Sequence, residues 1–536
     1  MNCMALEAGP DGDILVLDCG VTFPNRPNGT NVIHADLDWV VARRKRLRGI
    51  VVTHGHEDHI GAVPFLLRDA PAPVWGPAYA LALIRHRARE FGEDRRLDLR
   101  EVAIRRPFAV GDDFEVEAVR VTHSIVDATA LILRTPAGTV VHSGDFKIEE
   151  DPLDGQRFDR ERLREVGDEG VALLMSDSTN SFVDGSAGEE RDVAAELERQ
   201  VRTARGRVVA TLFASNVHRL GALAAIAERA NRRLLLLGRS LDNHARTAAS
   251  LGHLPNLGSR LVAPEEAQDV PRDQLMVLAT GTQGEAPAAM ARLASDQHPV
   301  LRLEPGDTVL FSARIIPGNE VAVHDMLNAL ARRQIDIRFR GTHPGLHVSG
   351  HAHRGEQSEL MRLVRPKAFL PVHGTLVHLQ RHAALAEEVG IPQVVVGENG
   401  TVLELSQAHG LSKVDEISVG RVHRDAGEPV PDAVLTDRGR LAELGVATVV
   451  TVIDESGRLQ GLPRVSTRGI VDLETEGDLI EDAARTVAAD LRRLGRDLDA
   501  FDDETIEATA TRAVRRFFGR ELRRRPVADA VVVRLR

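Results

Sequence analysis

At 536 residues the chain is long enough for about three domains, and its 43% apolar and 27% charged content is that of an ordinary globular protein, which excludes disordered, collagen-like and small stapled chains. Lys+Arg 68 against Asp+Glu 79 gives a net charge of −11, so nucleic acid, if bound, must meet a local basic channel rather than a polycation. Two cysteines, Cys3 and Cys19, cannot build a disulfide framework, and no apolar run of about 18 residues offers a membrane span.

A reducing, cytoplasmic setting without membrane partners is therefore expected. Aromatic residues make up only 3% of the chain, which argues against binding by rows of stacked bases. The unusual feature is the 21 histidines, and their placement carries the functional reading.

In chain order, DILVLD (13–18) and GIVVT (49–53) are short apolar runs that end in polar residues, as buried strands do. Further strand-like runs follow at 115–122, 129–134 and 139–142. From about residue 192 the pattern changes: strand-like runs at 207–213, 233–237, 275–280 and 308–312 alternate with helix-like segments at 216–230, 285–295 and 319–333. That alternation predicts a parallel, doubly wound unit. The histidine-rich style returns at 347–378, so the middle unit reads as an insertion into the first domain. Gly, Asp and Pro between 425 and 432 predict a linker. Beyond it, strands at 447–453 and 530–535 enclose two helices, the first with Leu479, Ile480, Ala483, Val487, Leu491 and Leu494 on one face.

The strongest chemical signal is THGHEDH (53–59), directly after a strand. His54 and His56 lie two apart, so both imidazoles can project to one side of an extended loop and share a metal. Asp58 and His59 can turn toward a second metal. THS (122–124) and HSGD (142–145) place His123 and Asp145 after later strands, where a carboxylate can bridge two ions. Their order after THGHEDH makes the set more specific than any one member.

These motifs resemble the metallo-β-lactamase superfamily. The resemblance implies an αββα sandwich with two metals at one sheet edge. One metal would be held by His54, His56 and His123, and the other by Asp58 and His59, with Asp145 bridging. Asp18 would orient ligands from behind.

Thiolesterases, lactonases, β-lactamases and nucleases share that core, so the fold alone does not choose the reaction. Here SDSTN (176–180), FASN (213–216), TGTQGE (280–285), FSARIIPGN (311–319), HVSGH (347–351) and PVHG (371–374) resemble, in order and spacing, the β-CASP nucleases and among them the ribonuclease J family. By that resemblance His373 completes the second metal's shell, His351 faces the scissile phosphate, and Asp177 opens the β-CASP region. Asp58 is assigned a part in steering the attack. Ser312, Ser349 and the backbone near Gly350 are expected to form a nest for a terminal phosphate. His142, His343, His347 and His353 are read as structural.

The implied fold is an α/β protein: a metallo-β-lactamase sandwich (1–191 and 348–427) with an inserted doubly wound β-CASP domain (192–347), a linker (428–440) and a small α/β C-terminal domain (441–536). The implied function is a two-metal ribonuclease that trims 5′-monophosphate RNA from 5′ to 3′ and also cuts internally, in RNA maturation and decay. Two zinc ions are the expected cofactors, with manganese or magnesium as alternatives. RNA, a homodimeric or homotetrameric assembly and RNA-decay proteins are the expected partners. The competing readings are a thioester or lactone hydrolase, a DNA-directed β-CASP nuclease and a non-catalytic RNA-processing scaffold. The basic stretch 512–525 is a candidate RNA contact or, equally, a solvated helix face with Phe517 and Phe518 in the core. Ribonuclease J-like chains open with a strand and a glycine-rich GGxxEIGxN segment, whereas this sequence opens MNCMALEAG. Met1 and Asn2 are thus expected to stand at the end of that segment, with the start codon assigned too late.

Overall fold

The computed structural model describes every residue except 25–27, 95, 96, 256, 259, 473 and 536. Contacts divide the chain into a larger unit, which holds Ile33–Val422 and the N-terminal strands, and a smaller one from His423 onward.

In the larger unit the apolar runs form two sheets. The first runs in the order Met4–Glu7, Ile14–Leu17, Leu47–Val51, Val74–Gly76, Leu99–Glu101. The second runs Gln393–Val394, Ala368–Val372, Leu173–Asp177, Gly138–His142, Thr129–Thr135, Phe114–Arg120, Phe108–Val110. Leu15, Leu17 and Val51 of the first sheet pack against Val116, Leu131 and Val140 of the second, which makes the sandwich core. Helices Arg160–Glu169 and Arg354–Val364 cover the second sheet's other face with Leu163, Val166, Leu360 and Val364. The edge strand Met4–Glu7, antiparallel to Ile14–Leu17, was not anticipated from the sequence, because four residues of mixed exposure give no period to read.

The insertion forms a five-stranded, all-parallel sheet in the order Arg233–Leu237, Leu275–Ala279, Val208–Thr211, Thr308–Phe311, Asp336–Phe339. Its inner strands Leu275–Ala279, Val208–Thr211 and Thr308–Phe311 are buried on both faces because helices cover both. Val217–Arg229 buries Leu220 and Leu223 on one side, and Glu320–Arg332 buries Val323 and Leu330 on the other. The strands that flank the insertion, Leu173–Asp177 and Ala368–Val372, are adjacent and parallel, with Asp177 opposite Val372. The chain leaves for the insertion at the Asp177 end and returns to that end at His351, whose Nδ1 lies 2.8 Å from Asp177, before helix Arg354–Val364 carries it to the start of Ala368–Val372.

In the smaller unit, Val446–Ile453 lies between Arg464–Arg468 and Val527–Arg534. Helices Gly477–Leu494 and Asp503–Glu521 pack on this sheet through Ala483, Val487, Leu491, Ala510 and Phe518. Phe517 and Phe518 are buried while Arg515 and Arg516 of the same helix are exposed, so the structural half of the expectation for 512–525 holds. The expected linker is instead ordered: Glu428–Val430 is a strand and Asp432–Leu444 a helix. Pro431 caps that helix's start in extended backbone rather than breaking the chain, and DAVLTDRGRLAEL after it is rich in helix formers.

Candidate metal centre

Each donor sits just past, or at, the C-terminal end of a sandwich strand. Asp18 follows Ile14–Leu17, His54 and His56 follow Leu47–Val51, His123 follows Phe114–Arg120, and Asp145 follows Gly138–His142. Asp177 ends Leu173–Asp177, and His373 follows Ala368–Val372. The strand ends meet at one edge, so donors spread over the sequence converge. After His56 the chain turns into the short helix Glu57–Ile60, which swings Asp58 and His59 to the other side of the cluster. Gly20 lets the Asp18 loop pass against this turn, for a Cβ there would lie 1.7 Å from the Asp58 carbonyl oxygen.

Three donor groups share Asp145: His54, His56 and His123 on one side, Asp58, His59 and His373 on the other, and a third, overlapping the second, of Asp177, His351 and His373. Within each group the ligand atoms lie within 4.8 Å of one another. His54 Nε2 and His123 Nε2 stand 3.0 and 3.1 Å from His56 Nδ1. Ligand nitrogens around a tetrahedral ion with bonds of ~2.0–2.1 Å would be roughly 3.3 Å apart, so this spacing suits a shared ion. His59 Nε2 and His373 Nε2 approach Asp145 Oδ2 at 3.2 and 3.3 Å.

Partners behind the cluster set which nitrogen faces it. His123 Nδ1 donates to the Gly350 carbonyl at 2.6 Å, leaving Nε2 as a lone-pair donor. A Cβ on Gly350 would come within 2.5 Å of Ser124 Oγ, so glycine is what allows this approach. His59 Nδ1 lies 2.8 Å from Asp18 Oδ2, and Asp18 also accepts from the Thr53 N–H at 2.8 Å and its hydroxyl at 3.0 Å. Asp18 and His373 hold left-handed backbone at φ 55° and 54°, a strained conformation of the kind that collects at functional sites.

The electrostatics divide the histidines. Burial, reinforced by neighbouring imidazoles, pushes His54 and His123 well below the ordinary histidine range, and His56 down to about 4. These three are therefore neutral and able to ligate at neutral pH. Burial would also depress His59 and His373, but the surrounding carboxylates, Asp145 foremost, together outweigh it and raise both. Burial would raise Asp18, yet the charge of His59 holds it at about 2. Burial opposes protonation of His351 too, but Asp177, 2.8 Å from its Nδ1, lifts it to about 9. The convergent, mostly buried donor set fits a divalent metal centre.

His351 itself lies 3.8 Å from Asp145 Oδ2, at the margin of the cluster. Ser349 Oγ accepts from Asn180 Nδ2 at 2.8 Å and from the His351 N–H at 3.1 Å. Ser312 is a correction: it is fully buried, and its hydroxyl donates to the Leu346 carbonyl at 2.7 Å, so it braces the HVSGH loop instead of facing a phosphate. His142 is buried 4.0 Å from Asp18. His347 packs against Arg219 at 3.0 Å, His353 precedes helix Arg354–Val364, and His343 bonds the neighbouring Thr342 hydroxyl.

Sequence reasoning missed four participants. Asn180 ties Ser349 and the His351 carbonyl (2.9 Å) together and lay unremarked inside SDSTN. Asn2 Nδ2 reaches 2.9 Å from His59 Nε2; the sequence marks Asn2 only as the end of the GGxxEIGxN segment, without this contact. Glu190 and Arg219 form a buried ion pair, and Arg219 also donates to the Ser312 carbonyl at 2.8 Å; charged residues on amphipathic helices read as surface.

A two-sheet sandwich with donors at one edge and a parallel-sheet insertion defines a metallo-β-lactamase-type hydrolase with a β-CASP domain, and the domain comparisons agree. Residues 2–186 match the metallo-beta-lactamase superfamily, 205–330 the ribonuclease J beta-CASP domain, 334–396 the Zn-dependent metallo-hydrolase RNA specificity domain, and 433–535 the ribonuclease J C-terminal domain. The chain is 38% identical to ribonuclease J of Synechocystis sp. over 86% of its own length and 72% of that relative. It is 36% identical to ribonuclease J of Mycolicibacterium smegmatis over 98% of the chain and 93% of that relative. A protein of unknown function from Enterococcus faecalis shares the fold at 16% identity, with a TM-score of 0.50 over 74% of this chain and 94% of its own. The chain belongs to the ribonuclease J family. Among the described residues no helix is long and apolar enough to cross a membrane.

Proposed function

We propose that this protein is a two-metal ribonuclease that removes nucleotides from 5′-monophosphate RNA in the 5′-to-3′ direction and also cuts internally. The observation that carries the reading is the convergence of the first two donor groups on Asp145 at the end of the sandwich where the β-CASP insertion departs. Family membership supports a metal-dependent phosphodiester hydrolase acting on RNA; no observation favours a small thioester or lactone, or DNA.

In this reading His54, His56, His123 and Asp145 would hold one ion, and Asp58, His59, Asp145 and His373 the other. Zinc suits a set rich in imidazole. Such ions supply Lewis-acid chemistry, polarising a phosphate oxygen and lowering the pKa of water. Asp18 and the Gly350 carbonyl fix the tautomers of His59 and His123. Asp58, half-exposed at the cluster's open side, orients the attacking water. His351, kept protonated by Asp177, donates to the phosphate as charge accumulates and gives its proton to the leaving oxygen. Ser349 and the Gly350 backbone receive the terminal phosphate, without Ser312.

The domain division 1–191, 192–347, 348–427 and 441–536, a homodimeric or homotetrameric assembly and a cytoplasmic location complete the proposal. The test offers purified protein of measured metal content 5′-monophosphate RNA, 5′-triphosphate RNA, matching DNA and a thioester. Preferential trimming of the monophosphate RNA is expected. Hydrolysis of the thioester with no RNA cleavage would overturn the assignment.

A further inference from the structure

Among the described residues, the large apolar side chains most exposed to solvent include two aromatics, Phe23 and Phe182. Phe182 is 47% exposed, although its backbone is held on several sides. The Val183 N–H donates to the Asn180 carbonyl at 2.9 Å, and the Val183 carbonyl accepts from the Arg354 N–H at 2.9 Å. The Gly355 N–H donates to the Gly185 carbonyl at 2.9 Å, and Arg354 pairs with Asp184 at 3.2 Å. The ring is therefore displayed by a fixed loop; one exposed apolar residue is ordinary on a protein surface, and what sets this ring apart is the set of groups around it.

Its neighbours are the chemistry of a nucleotide site. The Arg381 guanidinium lies 5.5 Å from the ring centroid, and the His378 ring stands edge-on at 5.1 Å, with 88° between the planes. Arg381 is exposed. The patch is joined to the metal centre by short chain: Phe182 is two residues from Asn180, which holds Ser349 and His351, and the Ser181 hydroxyl bonds the His378 carbonyl at 2.9 Å. His378 lies in the first turn of helix Leu376–Val389, which begins three residues after His373. That turn's partial positive charge adds to Arg381.

We propose that Phe182, backed by Arg381 and His378, is a platform on which one nucleobase of single-stranded RNA stacks beside the catalytic cluster. The inference rests on the ribonuclease reading and deepens it by assigning a subsite. A chain poor in aromatics cannot line a channel with rings, but one ring at a fixed place suffices to set where an unpaired base lies. A flat, apolar ring backed by one guanidinium accepts any of the four bases, because every base has a π-face and a phosphate beside it.

The test uses the full chain and a short 5′-monophosphate RNA made uncleavable by phosphorothioate linkages, with an abasic residue stepped through its first four positions. Affinity is read by fluorescence anisotropy. For wild type, one abasic position is expected to weaken binding roughly 5- to 100-fold. Phe182→Ala should bind intact RNA as weakly as wild type binds that abasic RNA and should lose the discrimination, while Phe182→Trp keeps both. On cleavable RNA, Phe182→Ala should raise KM with kcat close to wild type. Wild-type affinity and undiminished abasic discrimination in Phe182→Ala would overturn the platform while RNA cleavage by wild type leaves the ribonuclease reading standing. Wild type that neither binds nor cleaves RNA would remove both.

Discussion

Replacing Glu190 by Gln tests whether the buried ion pair between the sandwich and its insertion is structural. Glu190 and Arg219 are 2% and 1% exposed and pair in bidentate fashion, at 2.5 and 3.1 Å. Burial alone would raise the Glu190 carboxyl, but the charges of Arg219 and Lys147 hold it at about 2, against an ordinary 4.5. At ~1.36 kcal/mol per pH unit, that depression corresponds to about 3 kcal/mol of folding stability at neutral pH. Removing one member of a buried pair costs about 3–5 kcal/mol by the separate argument that the surviving charge is stranded. Because the folded pKa is depressed, this contribution is fully present above pH 4.5 and is lost as pH falls toward 2. Urea unfolding followed by tryptophan fluorescence reports on the larger unit alone, since Trp39 and Trp75 are the chain's two tryptophans and both lie there. Glu190→Gln should lose about 3 kcal/mol at pH 7, with the gap to wild type narrowing by pH 3. Glu190→Leu combined with Arg219→Met should recover much of the loss. A loss under about 1 kcal/mol at pH 7, or a double variant no better than the single one, would refute the reasoning.

Changing Asp58 and His59 together to Ala should abolish RNA cleavage and lower bound metal, measured by elemental analysis, while circular dichroism stays near wild type; full activity at full metal loading would remove these residues from the centre. His351→Ala should slow the chemical step by on the order of 10²–10³-fold with metal content unchanged, whereas His373→Ala should lose metal; two variants that keep all their metal and differ only in affinity for RNA would reverse these roles. Asp177→Asn withdraws the charge that raises His351, so the alkaline limb of the pH–rate profile should move to lower pH; an unmoved limb would mean His351 does not supply the titrating proton.

The first half of the centre was legible because its donors are local. THGHEDH packs His54, His56, Asp58 and His59 into one strand-end loop, and chemistry that dense has few other readings. His351 and His373 were legible only through the order of motifs in a family, since nothing about a lone histidine tells where a sheet will bring it. Strands such as Arg233–Leu237 and Leu275–Ala279 could be read closely because a buried strand is an apolar run, unbroken in LMVLA and broken only by the exposed Arg233 in RLLLL. Ser312 was misplaced because a serine reads alike whether its hydroxyl faces solvent or a buried carbonyl. The segment after Asp425 was misread because proline marks both a break in a chain and the start of a helix. Glu190 and Arg219 escaped notice because a charge on an amphipathic helix reads as surface until its buried partner is known.

The insertion between Leu173–Asp177 and Ala368–Val372 has a consequence for synthesis. A ribosome that has finished the first sandwich strands has already released His54, His56, Asp58, His59, His123 and Asp145, yet His351 and His373 arrive only after the whole inserted domain has been translated. A nascent chain thus emerges among RNA, its own message included, with neither His351 nor the last donor of the second group. A fragment ending before His347 should therefore be inert toward RNA, and cleavage by such a fragment would show that the early donors suffice. With an inert fragment, the interrupted order of the domain would withhold cutting until the protein is nearly complete.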